Sequence, residues 1–126
     1  MQKYVLISTK EALNYWQGIN PRVELTEERL AHIRMHHPND FELCVKYIDP
    51  VIEDPDLVLE DHKNPLTAMF IRSFEKTGVN VVIKLALSNQ VGDRSFIVTI
   101  HPVGARSIQK LQKKNKVVYR KPSDML

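Results

Sequence analysis

The sequence predicts an α+β fold: N-terminal helices packed on a twisted antiparallel sheet of about four to five strands. Three observations carry this. Apolar residues recur at helical spacing before Ile52, whereas residues 57–101 break into four runs rich in β-branched and aromatic side chains. The connections between those runs are short, which favours antiparallel pairing. The 126 residues, 43% hydrophobic and 26% charged, suit one domain over residues 1–126 with one core.

Taken in order, YVLIS (4–8) reads as a short strand. Ser8 and Glu11 have capping-box spacing, so a short helix is expected to about Trp16, stopped by Gly18. PRVEL (21–25) is extended. Thr26 is a good N-cap, and Glu27 and Glu28 suit the positive end of the helix that follows. That helix should end at His37, because Pro38 disfavours helical geometry in the residue before it. A second helix is expected from Asn39 or Asp40, with Phe41, Val45 and Ile48 on one face. Asp49-Pro50 reads as a cap and first-turn proline for a continuation through Ile52, and Asp54-Pro55-Asp56 as a turn. The strands are LVLED (57–61), TAMFIRSF (67–74), VNVVIKLALS (79–88) and RSFIVTIH (94–101), joined through Asn64-Pro65, Thr77-Gly78 and Gly92-Asp93. Val103, Ile108 and Leu111 mark one more helix with a lysine-rich outer face, and KVVYRK (116–121) a final strand.

No apolar run approaches the roughly 20 residues of a membrane span, so no membrane association is expected. The N-terminus MQKYVLISTKEAL lacks a long apolar core followed by a small-residue cleavage site. The single cysteine, Cys44, excludes an internal disulfide and any multi-cysteine zinc site; it is expected as a small buried hydrophobe on a helix. The net charge of +3 is unevenly spread. Residues 1–105 carry 11 Lys/Arg against 14 Asp/Glu, whereas residues 106–126 carry 7 Lys/Arg and only Asp124. The basic end suggests an acidic partner, phosphate being the commonest, or else a solvated tail.

Three of the five histidines lie in RLAHIRMHHPN (29–39). On a helix His32 and His36 fall about 40° apart, the spacing of a zincin metal pair. Ile33 stands where that motif places its glutamate, and a third ligand would have to be His62 or a remote carboxylate. The expectation is therefore no metal and no cofactor, with His32 and His36 facing outward. His37 falls within about 60° of Leu30 and Ile33, and so faces the body of the protein at the negative end of the helix dipole. That place suits a general acid or a phosphate-binding group, or a core histidine bonded to backbone.

Strict alternation in RSFIVTIH puts Ser95, Ile97, Thr99 and His101 on one face, the working face, and Phe96, Val98 and Ile100 on the core face. Lys84 sits inside an apolar strand and must reach an edge, a carboxylate or a bound anion. Arg106 and Lys110 begin the last helix, close in sequence to His101. Histidine, lysine, arginine and hydroxyls are what metal-free RNA cleavage needs. The 2′-hydroxyl is the nucleophile, histidine can move both protons, and cationic and hydroxyl donors can hold the phosphorane.

LTEERLAHIRMHHP, VIEDPDLVLEDHKNPLTAMFI, VNVVIKLAL, RSFIVTIHPV and KKNKVVYRK, in that order, resemble the phage and polymorphic-toxin branch of the barnase–EndoU–colicin–RelE (BECR) nuclease superfamily. The resemblance covers roughly residues 16–121. It implies a BECR-like RNase fold, metal-independent RNase activity, occurrence in phage proteins or at the ends of larger bacterial toxins, and a cognate immunity protein or antitoxin. The family's helix-end histidine, in an R-H-P context, falls on His37, with His36 in place of the arginine. The strand lysine falls on Lys84, and the S-x-x-x-T pair on Ser95 and Thr99. His101 rests on strand phase alone.

The sequence reading is thus a metal-independent endoribonuclease of the phage or bacterial toxin type, cleaving tRNA or mRNA. Its catalytic candidates are His37, His36, Lys84, Ser95, Thr99, His101 and Arg106. Lys110, Lys113, Lys114, Lys116, Arg120 and Lys121 would grip RNA. Its site of action would be the cytoplasm, with delivery inside a larger phage or secreted toxin protein as one route. The alternatives are a non-catalytic RNA- or protein-binding module and a phage virion component on the same fold.

Overall fold

A computed structural model describes residues 2–5, 15–16, 19, 22–36, 38–88, 90 and 94–122. Its described strands form a seven-stranded mixed sheet in the order β1-β2-β6-β5-β4-β3-β7. These are β1 (Gln2–Val5), β2 (Arg22–Leu25), β3 (Leu57–Glu60), β4 (Thr67–Phe74), β5 (Val79–Ala86), β6 (Ser95–Pro102) and β7 (Lys116–Arg120). The α+β class is as expected. The strand count is higher, because PRVEL pairs as β2 and joins β1 to the sheet. The sheet is not wholly antiparallel, since β2 runs parallel to β6 through Val23–Ser95 and Glu24–Phe96. The expected helix from Ser8 towards Trp16 falls almost wholly outside the described residues.

The described helices are α1 (Glu27–His36), α2 (Pro38–Cys44), α3 (Ile48–Glu53) and α4 (Ala105–Lys114), with a 3-10 turn at Val45–Tyr47. Thr26 starts α1 as expected: its Oγ1 accepts from the Arg29 N–H at 3.1 Å. The helix expected from Asn39 or Asp40 runs as α2 from Pro38 to Cys44, the 3-10 turn follows, and the short continuation expected through Ile52 is α3, which starts at Ile48, ahead of Asp49-Pro50. Gly78 closes the β4–β5 turn at φ +68, where its N–H donates to the Phe74 carbonyl at 2.8 Å. That left-handed conformation favours glycine.

The sheet has two working faces. Helices α1–α3 cover one, burying Ile33, Phe41, Cys44, Ile48, Val51 and Ile52 against Val58, Phe70, Ile83, Leu85, Ile97 and Ile100. Each such valine, leucine, isoleucine or phenylalanine stabilises the fold by about 1.5–3 kcal/mol. On the opposite face, Ile108 and Leu111 of α4 pack over a smaller cluster: Leu57, Leu59, Met69, Ile71 and Val82. Helix α4 therefore crosses the opposite face over β3, β4 and part of β5. The β5–β6 strip next to it is left open for polar side chains. No described helix is long and apolar enough to cross a membrane.

Candidate active site

Strand β6 carries one extra residue. Leu85 pairs with Ile97, but the next position, Lys84, pairs with Thr99, so Val98 has no partner on β5. This bulge breaks the expected alternation. Ser95 and Ile97 lie on the helix-covered face, as does Ile100, whereas Phe96, Thr99 and His101 share the opposite face with Ala86, Lys84 and Val82. The expected grouping of Ser95 with Thr99 and His101 is thus overturned, and Phe96 does not face the core. Ser95 is fully buried, and its Oγ accepts from the Ser88 N–H at 3.1 Å.

Lys84 and Thr99, as cross-strand neighbours, have Cβ atoms about 5 Å apart, and His101 stands about 7 Å further along β6. Lys84 is half-buried between Met69 of β4 and Thr99 of β6, and no described residue pairs with its ammonium. Of the expected outlets (an edge, a carboxylate or an anion), no carboxylate among the described residues meets it. The His101 Nδ1–H donates to the Pro102 carbonyl at 3.1 Å. A carbonyl can only accept, so Nδ1 carries the hydrogen of this contact, and in a neutral ring Nε2 is then the acceptor.

The outer edge of β6 meets a helix. Among the described residues β2 pairs with β6 only at Ser95 and Phe96, so beyond them the edge faces α1. Arg29, His32, Ile33 and His36 occupy one arc of α1 about 100° wide. Ile33, 1% exposed, anchors that arc in the core. Two adjoining hollows of about 400 and 390 Å³ share Arg29 and His32 and run along the β6 edge; the second is closed by His36, Val98 and Thr99. The rings of His32 and His36 are 4.3 Å apart. Both histidines are exposed, as expected, yet they open onto this edge rather than onto bulk solvent alone.

A third groove, of about 390 Å³, starts at His101 and runs beneath α4 between Lys110, Leu111 and Lys114. Strands β5 and β6 therefore carry a polar surface from the α1 histidines, past Thr99 and Lys84, to His101 and two lysines of α4. The arrangement offers proton carriers on both sides of a cationic and hydroxyl-bearing centre.

A model of the phage-Barnase-EndoU-ColicinE5/D-RelE like nuclease2 family (PBECR2) matches residues 6–120. The chain belongs to this nuclease family. No curated protein and no solved structure gives a significant match.

Set against the PBECR2 membership, the expected site residues divide. Lys84, Thr99, His101 and His36 come to the β6 surface. Ser95 lies on the other face. Arg106 is exposed in the first turn of α4 and does not line the His101 groove. His37 lies outside the described residues, between α1 and α2. His62, the candidate third metal ligand, is at the far side of the sheet. There its N–H and Nδ1–H both donate to Asn115 Oδ1, at 2.9 and 3.0 Å. Asn115 in turn donates to the Leu111 carbonyl at 2.9 Å, so His62 ties the loop after β3 to the end of α4. Among the described residues no three His, Cys, Asp or Glu side chains gather where a metal could be held.

The basic end of the chain also divides. Lys110 and Lys114 line the His101 groove, and Lys113 is exposed on α4. Lys116 lies 4.7 Å over the Tyr15 ring, and Arg120 donates to Gln112 at 2.8 Å. Lys121 is 2.8 Å from Asp54, whose hydrogen bond holds the ammonium pKa above its ordinary value. Sequence reading missed Arg29, whose place in the histidine arc was readable from helical phase. It also missed the exposed Phe96, which only the bulge reveals.

Proposed function

We propose that this PBECR2 nuclease is a metal-independent endoribonuclease that cleaves RNA through its own 2′-hydroxyl. The observation that carries the reading is the Lys84–Thr99–His101 surface beside the histidine arc of α1. His101 Nε2 accepts the 2′-hydroxyl proton while the O2′–P bond forms. Lys84, Thr99 and Arg29 hold the negative charge of the phosphorane. The P–O5′ bond then breaks, and a protonated histidine of the α1 end, His36 or His37, gives its proton to the departing 5′-oxygen. The products are a 2′,3′-cyclic phosphate and a 5′-hydroxyl. Both proton transfers and the charge stabilisation between them use side chains that the chain itself supplies.

On this reading the protein is a toxin-type RNase of phage or bacterial origin. It acts on tRNA or mRNA in the cytoplasm and is held in check by an immunity protein or antitoxin. Lys110 and Lys114 extend the grip along the RNA backbone. Incubation with total RNA in the presence and absence of chelator, with mapping of the new ends, tests this. Cleavage in chelator to cyclic-phosphate ends is expected. Cleavage that stops in chelator would overturn the metal-independent mechanism. Salt-sensitive RNA binding without cleavage would instead support a non-catalytic binding module.

A further inference from the structure

We propose that Phe96 is a stacking platform for one unpaired nucleobase of the RNA, placed next to the phosphate that reacts. The inference rests on the ribonuclease reading above and names the substrate's presentation: single-stranded, with a base turned out. Phe96 is 44% exposed and belongs to neither hydrophobic cluster, so burial does not account for it. It lies on the same sheet face as Lys84 and Thr99. Its partner Ala86 is two residues from Lys84, which sets the ring about 7 Å from the Lys84–Thr99 pair, a step suited to the neighbouring nucleotide.

The hollow against this ring is lined by Thr26, Glu28, Arg29, His32, Phe96 and Ile97. An aromatic surface with a guanidinium beside it matches a base and its flanking phosphate. The exposed Glu28 adds an acceptor at the rim that can pair with a donor of a base edge. A base inside a duplex cannot present its face to the ring, so double-stranded RNA should be a poor ligand.

The test uses the full chain and 2′-O-methyl RNA oligomers carrying 2-aminopurine, which cannot be cleaved because the nucleophile is blocked. Quenching on binding is expected with the wild type and with Phe96→Trp. Phe96→Leu, which keeps an apolar side chain at an exposed position, should bind about tenfold more weakly and lose the quenching. Equal affinity and equal quenching in Phe96→Leu would overturn the proposal, as would preference for duplex RNA. Cleavage of unmodified single strands separates the two readings. A wild type that quenches but never cleaves defeats the ribonuclease reading and leaves the platform standing. A wild type that cleaves with the same KM as Phe96→Leu defeats the platform alone, and a wild type that binds no RNA overturns both.

Discussion

Lys84 and Thr99 are direct cross-strand partners at the step where the β5–β6 register shifts. The pairing places an ammonium and a hydroxyl side by side on a half-buried surface with no described carboxylate to neutralise the lysine. A cation kept there without an ion pair costs stability unless an anion arrives. Lys84→Gln should therefore lower single-turnover RNA cleavage by about 10²–10³-fold, the usual loss when a transition-state charge donor is removed. Thermal unfolding should be unchanged or shifted upward, because no partner among the described residues is lost. A variant that loses activity and unfolds well below the wild type would mark Lys84 as structural.

Val98 is the extra residue that sets Thr99 and His101 on their face while Ser95 and Ile97 stay in the core. Deleting Val98 leaves Ile97 next to Thr99, and the strand then alternates regularly with every side chain still on its observed face. The ladder should survive, with a single cooperative transition in urea unfolding. What disappears is the local bend that brings Val98 and Thr99 to the α1 histidines. Cleavage should fall sharply while the deletion variant still melts cooperatively. Undiminished cleavage would show that the bulge does not position the site.

The same residue marks where sequence reading stops. Period-2 alternation located the β6 strand and named Thr99 and His101, but one unpaired residue inverted the phase between Ile97 and Thr99, and alternation has no means of registering it. Lys84 was legible because a lone lysine in an apolar strand needs a local reason. The roles of His62 and Lys121 were not legible, since each is set by a partner remote in sequence, Asn115 and Asp54. The strand-rich half and the four hairpin-forming runs were readable from composition and turn residues. The place of β2 beside β6 was not, because a short extended segment does not announce a parallel partner some 70 residues on.

The division of the basic end predicts a divided salt response. Lys110 and Lys114 border the His101 groove, whereas Arg120 and Lys121 are held by Gln112 and Asp54. Each lysine that meets a phosphate adds about 0.7 to the slope of log affinity against log salt for a single strand. Lys110→Gln with Lys114→Gln should flatten that slope by about 1.4 in titrations with single-stranded RNA. Arg120→Gln with Lys121→Gln should leave it nearly unchanged. A loss of slope in the second pair equal to that in the first would mean that RNA runs over β7 rather than along the α4 groove.

Cys44 is fully buried at the end of α2, and its thiol is pushed up to about 11 by burial and by the Asp40 carboxylate. Its folded pKa is thus raised above that of the unfolded chain. Its contribution to stability is complete below about pH 9 and is lost as the pH rises towards 11, an effect on the order of 2 kcal/mol. Urea unfolding at pH 8 and at pH 10.5 should show this fall in the wild type and a smaller one in Cys44→Ala. The exposed Lys121–Asp54 pair weakens over the same range in both proteins, so the difference between them isolates the thiol. At pH 8 a thiol-specific disulfide reagent should leave the native protein unlabelled and react fully in denaturant. Rapid labelling of the native state would show that α2 lifts off the sheet, which would free the neighbouring α1 histidines from the geometry on which the proposed chemistry depends.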